Sequence, residues 1–329
     1  MKRIVAAVLV AWRWALVGVV AAYAGAGGAQ PYPSKPLRVV VPYPPGDAAD
    51  IIARLIGPRM AESMGQQVVV ENRAGASGQI GLEQFKNGSA PDGYSIAVGQ
   101  GGNLVVAPHT YKKLAYDPLK DFTGVAIVAT NYLAVIANRD APFNSATDMV
   151  AWARKNPGQL SVATNGEGGY PHLAMELLAQ MGRFTFLHVP YKGANQIASD
   201  VIGGQVLTGI GAYTSLSPHV LSGRAKLIGV TNPVRVPNRP ELPIFADAVP
   251  GYDMRGWFGY IAPAGTPPEI VDRLNKEINK ATHSFDVADK LTAAGLIIQN
   301  DDAQAFDAIL HSDYEKYGKL VQDIGLKPQ

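Results

Sequence analysis

Cysteine is absent from all 329 residues. The chain therefore has no disulfide framework, no thiolate nucleophile and no cysteine-based metal site. Charge is sparse as well, at 17% Asp, Glu, Lys and Arg, and the 14 tyrosines and four tryptophans are spread along the chain rather than interleaved with basic residues. Such aromatics read as core and crevice lining, and no nucleic-acid footprint is expected. No P-loop occurs. Gly75, Gly78 and Gly81 miss the dinucleotide fingerprint, and Gly75-Ala76-Ser77 is followed by Gly78 and Gln79, which breaks the nucleophile-elbow spacing. His172 and Glu176 stand four apart on a predicted helix and offer two metal ligands, but no further His or carboxylate is placed beside them. The pair reads as a hydrogen-bonded histidine inside a lobe, so neither metal nor cofactor is expected.

What is present begins with an export signal. Lys2, Arg3 and Arg13 give a basic start, WALVGVVAA at 14–22 is apolar, and Ala22-Tyr23-Ala24 and Ala24-Gly25-Ala26 both fit a small-x-small cleavage pattern. The rival reading is a retained membrane anchor. Arg13 interrupts the apolar stretch and leaves only nine residues, against the roughly 20 that a span requires. Residues 1–29 are therefore expected to be a cleaved secretory signal peptide, and the mature protein periplasmic. Removing Lys2, Arg3 and Arg13 from the 29 basic residues leaves a mature chain near neutrality against its 27 acidic ones. The full chain is 47% hydrophobic, enough for a sizeable core and two domains.

The stretch LRVVVPYPPGDAADIIARLIGPRM at 37–60 organises the rest. Val39, Val40 and Val41 predict a strand buried on both faces of a parallel sheet. Ile51, Ile52, Leu55 and Ile56 recur at helical spacing, with Asp50 as an N-cap or first-turn carboxylate. Pro42, Pro44 and Pro45 stiffen the intervening bend and Gly46 turns it, so amide N–H groups from Gly46 to Ala49 are expected to point outward, where a helix start attracts anions. Residues 68–70 predict a second buried strand, opening into the glycine-rich ENRAGASGQIG at 71–81, which either approaches a ligand or simply turns the chain. Residues 95–98 predict a third strand ending in Gly99-Gln100-Gly101-Gly102-Asn103. Ligands of open α/β sheets bind beyond the carboxyl ends of strands, which puts these three loops at one crevice.

Further strands are expected at 125–129 and 133–137, with Asn131 and Tyr132 between them. Another at 160–164 opens into Asn165-Gly166-Glu167-Gly168-Gly169-Tyr170 before a helix, repeating the opening logic in a second lobe. Tyr191-Lys192 either meets an anionic ligand or is a solvated strand end. A helix to residue 202 stops at Gly203-Gly204, residues 207–212 run apolar into Tyr213-Thr214-Ser215, and residues 226–230 and 257–261 predict strands. Residues 235–250 form a proline-rich connector. Pro267-Pro268-Glu269 starts a helix with Ile270, Leu274 and Ile278 on one face.

PYPSKP at 31–36, PYPPG at 42–46, VVVENRAGASGQIG at 68–81, APDGYS at 90–95, HVPYKGA at 188–194, GGQV at 203–206 and GWFGYIAPAGTPPEIVDRLN at 256–275 together resemble the Bug-type extracytoplasmic solute receptors of tripartite tricarboxylate transporters. The likeness spans the mature chain in order. It implies an α/β fold of the type II periplasmic-binding-protein kind, with two lobes joined by two crossover strands. Lobe 1 is then 30–131 and 257–329, and lobe 2 is 132–256. It implies a monomer that closes on a small organic carboxylate, a di- or tricarboxylate or an aromatic carboxylate, and delivers it to membrane transporter subunits, with no nucleic acid and no cofactor. By position, the first pocket loop corresponds to Tyr43, Gly46, Asp47, Ala48 and Ala49, and the second to Ala76, Ser77, Gly78 and Gln79. The opposing lobe contributes Thr164, Asn165, Gly168, Gly169, Tyr170 and Tyr213, and Gln100 comes from the third strand-end loop. The resemblance also implies a carboxylate held by backbone amides and bridging waters.

Two departures bear on the ligand. Asp47 stands where the family has a second glycine, and Gly211 and Leu207 stand where acids are frequent. Asp47 either turns aside to cap the helix or recognises a ligand ammonium. The loss of acid near Tyr213 leaves a partly aromatic second-lobe wall that suits an aromatic or longer aliphatic carboxylate. The same clamp serves a ligand sensor for a kinase. An exported hydrolase on this scaffold needs a nucleophile and base in contact, and no Ser, His and acid set falls in the cleft loops.

Overall fold

A computed structural model describes residues 32–191 and 193–328, so the expected signal peptide at 1–29 and Lys192 lie outside the described residues. Strand β1 (Leu37–Val41) is buried along nearly its whole length, as its valines dictate, and is flanked in parallel by β2 (Val68–Asn72) and β3 (Ser95–Gln100). Helix α1 (Ala48–Met64) connects β1 to β2, and α2 (Gln79–Gly88) connects β2 to β3. The second valine run behaves differently from the first. β2 is the terminal strand of the sheet and Val69 is 51% exposed, which corrects the expectation of a buried strand. Identical valine triplets fit a central and an edge position, because β propensity reports a pleated surface and not its depth.

After β3 come a π-turn segment (Gly102–Val106), α3 (Ala107–Thr110) and α4 (Pro118–Asp121), then the 16-residue β4 (Phe122–Ala137). α5 (Ala146–Lys155), β5 (Ser161–Thr164), α6 (Tyr170–Gly182), β6 (Leu187–Pro190), α7 (Ala194–Ile202), β7 (Thr208–Ala212), α8 (Tyr213–Leu221) and β8 (Lys226–Val230) follow. The connector then leads to β9 (Arg255–Pro263), α9 (Pro268–Thr282), α10 (Phe285–Ala293), the short β10 (Ile297–Ile298) and α11 (Ala303–Asp323). Strand order is β2-β1-β3-β9-β4-β7-β5-β6, with β8 and β10 also pairing with β4. Among the described residues, no helix is long and apolar enough to cross a membrane.

β4 is the seam of the molecule. Its residues 122–132 run antiparallel to β9, from Phe122 opposite Pro263 to Tyr132 opposite Arg255, and its last five residues pair with β7 and β8 instead. The expected pair of strands at 125–129 and 133–137 is thus one strand. Thr130 and Asn131 are half-buried where their neighbours are buried, because the strand surfaces there beside the cleft while its ladder continues opposite Trp257 and Gly256. A polar dip in an apolar run marks exposure as readily as a break.

Helix α11 covers the β4 and β9 part of the sheet at very short range. Phe306, fully buried, rests on Gly259 and on Gly124, whose amide also donates to Asp307 Oδ1 at 2.9 Å. A Cβ added at Gly259 would lie 2.6 Å from Phe306 Cζ and 3.0 Å from the Ala126 carbonyl, and a backbone atom yields little. Gly259→Ala is expected to destabilise by about 1–3 kcal/mol through overpacking. Denaturant unfolding would measure this, and a midpoint equal to wild type would contradict the close approach.

Candidate cleft site

The bend after β1 is held by Asp50, a first-turn carboxylate that is 3% exposed. Its Oδ2 accepts the Gly46 N–H at 2.9 Å, and its Oδ1 accepts from Arg54 Nε and Asn72 Nδ2, both at 2.9 Å. Asn72, at the end of β2, also donates to the Tyr43 carbonyl at 3.0 Å, which clamps the bend to its neighbouring strand. Burial opposes the charged form of Asp50, yet these donors outweigh it and hold the carboxyl below its usual range. Asp47 is the N-cap: its backbone is extended and its Oδ1 accepts from Ala49 N at 3.0 Å.

These bonds correct the expectation of several free amides from Gly46 to Ala49. Gly46 N–H goes to Asp50, Asp47 N–H to the Pro44 carbonyl at 3.2 Å and Ala49 N–H to Asp47. Among the described residues, Ala48 N–H is left without an acceptor in this bend. The physical reason is the pair of acids: Asp47 and Asp50 supply internally the oxygens that an exogenous anion would otherwise supply.

The second bend presents more free backbone. Gly75, Ala76, Ser77 and Gly78 all have positive φ, of 143°, 46°, 54° and 92°. For Ala76 and Ser77 this conformation costs about 1–3 kcal/mol each, which the surrounding contacts sustain. Gly78 N–H bonds the Gly75 carbonyl at 2.9 Å and Gln79 N–H the Ala76 carbonyl, whereas Ala76 and Ser77 N–H have no acceptor among the described residues. Gly78 fits where a Cβ would come within 2.8 Å of Asn103 Nδ2 and 3.1 Å of Tyr43 Cζ. The side-chain amides of Gln79 and Asn103 are buried without acceptors. Tyr43 OH reaches the Ser77 carbonyl at 3.4 Å, and the Gln100 side chain lies near enough to favour the charged form of Asp47, so the ends of β1, β2 and β3 meet.

A cavity of about 370 Å³ opens beside them. Its walls are the start of α1 (Gly46, Asp47, Ala48, Ile51), the middle of β4 (Asn131, Tyr132), the end of β7 with the start of α8 (Ala212, Tyr213, Thr214, Ser215), and the turn after α10 (Ala294, Gly295, Leu296). Asp47 is the one carboxylate among these lining residues. Burial is the main reason its pKa is raised, the Ala49 amide opposes the rise, and the nearby Asp50 charge adds to it. A second cavity, of about 230 Å³, lies between β9 and α11 around Asp313, which accepts from Trp257 Nε1 at 2.9 Å. Its lining residues Trp257 and Tyr317 border Gly101 of the loop after β3 and Tyr170 of the loop after β5.

Of the residues singled out from sequence, Gly46, Asp47, Ala48 and Tyr213 line the cleft cavity. Gln100 touches it through Asp47, while Tyr43, Ala76, Ser77, Gly78 and Gln79 build the adjoining bend. Ala49 is fully buried. Thr164, Asn165, Gly168, Gly169 and Tyr170 are absent from the cavity wall. Their loop is tied inward by two stacked imidazoles. His172 and His188 have ring centroids 3.8 Å apart, His172 Nδ1 accepts Gly168 N–H at 3.0 Å, and His188 Nε2 lies 2.7 Å from Thr164 Oγ1. Tyr170 OH meets Tyr317 OH of α11 at 3.2 Å. His172 also faces Glu176 Oε1 at 3.2 Å, which agrees with the hydrogen-bonded histidine read from sequence. The turn at Ala294, Gly295 and Leu296 was not anticipated, although Gly295 (φ 80°) just past an amphipathic helix carries the usual helix-stop signal.

A sheet whose two halves share one long strand, with strand-end bends opening on a small cavity, defines a solute-binding protein of the periplasmic type. The chain matches the tripartite tricarboxylate transporter family receptor, TctC, over residues 52–326. It is 39% identical over 297 residues to a UPF0065 protein from the tcbD-tcbE intergenic region of a Pseudomonas species, covering 90% of this chain and 88% of that one. It is 30% identical over 321 residues to BugT of Bordetella pertussis, covering 95% and 97%. An adipate-bound protein of R. palustris superposes with a TM-score of 0.78 at 30% identity, covering 91% of this chain and 100% of that one. The chain belongs to the tripartite tricarboxylate transporter receptor family.

Burial and the adjacent His172 hold the His188 pKa down at about 4, against an ordinary 6.5, with Glu176 opposing. The fold therefore favours neutral His188, and the unfolded chain takes up the proton first. Thermal stability is expected to fall as pH drops from 6.5 toward 4, and His188→Gln is expected to flatten that slope. A wild-type profile that is level across this window would exclude the effect.

Proposed function

We propose that this protein is a periplasmic receptor that closes on a small organic carboxylate and presents it to membrane subunits of a tripartite tricarboxylate-type transporter. The observation that carries the proposal is a set of amides without an acceptor among the described residues: Ala48 on the wall of the 370 Å³ cavity, and Ala76 and Ser77 in the adjoining bend. Neutral donors hold an anion without the desolvation of a buried counter-charge. The cavity lies near the lower end of the usual range for ligand sites, which suits a small solute. Family membership and the adipate bound to the R. palustris relative support the same chemistry. In this reading residues 30–131 and 257–329 form one lobe, residues 132–256 the other, and closure is a hinge about β4 and β9. The basic and apolar start of the chain supports export.

Thermal shift against a panel of carboxylates tests the proposal. A ligand at about 100 times its Kd adds about 2.7 kcal/mol and raises the midpoint by several degrees, with the ligand recovered unchanged. No shift with any carboxylate, or turnover of one, would overturn the reading.

Asp47 favours a second possibility, a ligand that carries an ammonium as well as a carboxylate. Asp47→Asn discriminates, since Asn caps a helix equally well. If Asp47 only repels, the variant binds dicarboxylates about fivefold tighter, the worth of roughly 1 kcal/mol between unit charges about 4 Å apart in water. If Asp47 holds an ammonium, the variant loses amino-acid ligands instead.

A further inference from the structure

The 230 Å³ cavity around Asp313 and the 370 Å³ cavity of the cleft lie on opposite faces of β4. Thr130 lines the first and its neighbour Asn131 the second, and successive residues of a strand point to opposite faces of the sheet. Trp257, opposite Thr130 in the ladder, lines the Asp313 cavity too. This cavity draws its wall from both sides of the crossover. Asp253 and Arg255 come from the segment read as lobe 2, and Asp301, Asp313 and Lys316 from the part of lobe 1 that follows β9.

Of these five charged side chains, the bases are engaged and two acids are left over. Arg255 forks onto Asp253, with Nε to Oδ1 at 3.0 Å and Nη2 to Oδ2 at 2.8 Å. Lys316 turns its ammonium to the Asp253 carbonyl at 2.9 Å. Asp313 receives one neutral donor, the Trp257 indole N–H, and among the described residues neither Asp313 nor Asp301 makes an ion pair. Burial is the main cause that holds the Asp313 pKa above the usual carboxylate value; the nearby Asp253 charge adds to the rise, while the indole, Lys316 and Arg255 oppose it. A carboxylate short of a counter-charge, facing open volume, suits a cation from outside the chain. Coordination of a metal ion is a poor fit, because no group of three or more His, Cys, Asp or Glu side chains is placed to hold one among the described residues. Ile127, Ile309, Trp257 and Tyr317 supply carbon to the rest of the wall, which suits an alkyl chain and, at a ring face, a cation. The volume is below the usual range for ligand sites, so the occupant has few heavy atoms.

We propose that this cavity, on the face of β4 away from the cleft cavity, is a second binding site that takes a small alkylammonium, with Asp313 as its principal acceptor and Asp301 as a further one. The ammonium donates to the Asp313 oxygens, and its carbon chain lies against the aliphatic and aromatic wall. An occupant there touches residues from both sides of the crossover. The site goes beyond the carboxylate reading and shares no lining residue with the cleft cavity.

Without residues 1–29 the chain keeps two tryptophans, Trp152 and Trp257, so Trp152→Phe makes Trp257 the sole indole and a reporter inside the site. Titration of that variant with ethylammonium and 1,4-diaminobutane, against ethanol and 1-butanol as neutral controls, follows the Trp257 emission, and calorimetry on wild type gives the affinities. The ammonium probes are expected to shift the emission saturably and the alcohols to leave it unmoved. Asp313→Asn keeps an oxygen to accept from the indole and removes a buried charge, so it is expected to weaken ammonium binding about tenfold or more with no loss of thermal stability. Absence of saturable ammonium binding in the millimolar range overturns the site. Binding that leaves Trp257 emission unmoved, or that Asp47→Asn abolishes and Asp313→Asn does not, puts the cation in the cleft and also overturns it. The carboxylate reading rests on other residues and is left standing by each of these results.

Discussion

Asp50 is a carboxylate with almost no access to water, and the mouth of the cleft takes its shape from how that charge is satisfied. Three donors converge on it: a backbone amide of the bend, the guanidinium one helical turn along, and an amide from the next strand. A buried charge is tolerated only when its oxygens are fully engaged. Here the engagement fixes the backbone of Gly46, the start of α1 and the end of β2 relative to one another. The cap at Asp47 then aligns Ala49, and the orientation left to Ala48 is a consequence. Free donors in this bend are few because two acids consume the rest, so the amides without an acceptor among the described residues fall mainly at Ala76 and Ser77 in the second bend. Those two residues hold left-handed backbone that glycine would adopt more readily.

Much of the fold was legible because its signals are local. Val39 to Val41 announce a strand, Gly203-Gly204 ends α7, and Pro268 opens α9, and each depends on neighbours in sequence. Depth and continuity were not legible. Val68 to Val70 carry the same triplet as β1 and end at a sheet edge, and the dip at Thr130 and Asn131 looks like a break yet lies within an unbroken ladder. Both properties are decided by which strand arrives alongside, and β9 comes from more than a hundred residues downstream.

The site divides in the same manner. Bends that follow β1, β2 and β3 were found from glycine and proline placement, because a strand end followed by a helix start has a fixed use for such residues. The loop after β5 bears the same glycine pattern, and the stacked His172 and His188 and the Tyr170 contact with Tyr317 tie it to its neighbours, off the wall of the 370 Å³ cavity. Glycine spacing specifies a tight loop and leaves its direction to tertiary partners. The resemblance pointed to the bends after β1 and β2, whereas the turn at Gly295, which lines the cavity, comes from a part of the chain where no motif was quoted.

Tyr132 sits where the two halves of the sheet meet. It is the residue of β4 at which pairing with β9 ends, and the next residue, Leu133, pairs with β7. The Thr231 hydroxyl accepts the Leu133 N–H at 3.0 Å, so the ladder is satisfied by a side chain at the changeover. A strand bends with least loss where its partners change, because few ladder bonds straddle that point. Tyr132 therefore both borders the cavity and marks the changeover. Should the two halves of the sheet close on a ligand, affinity and closure would be two readings of one contact free energy.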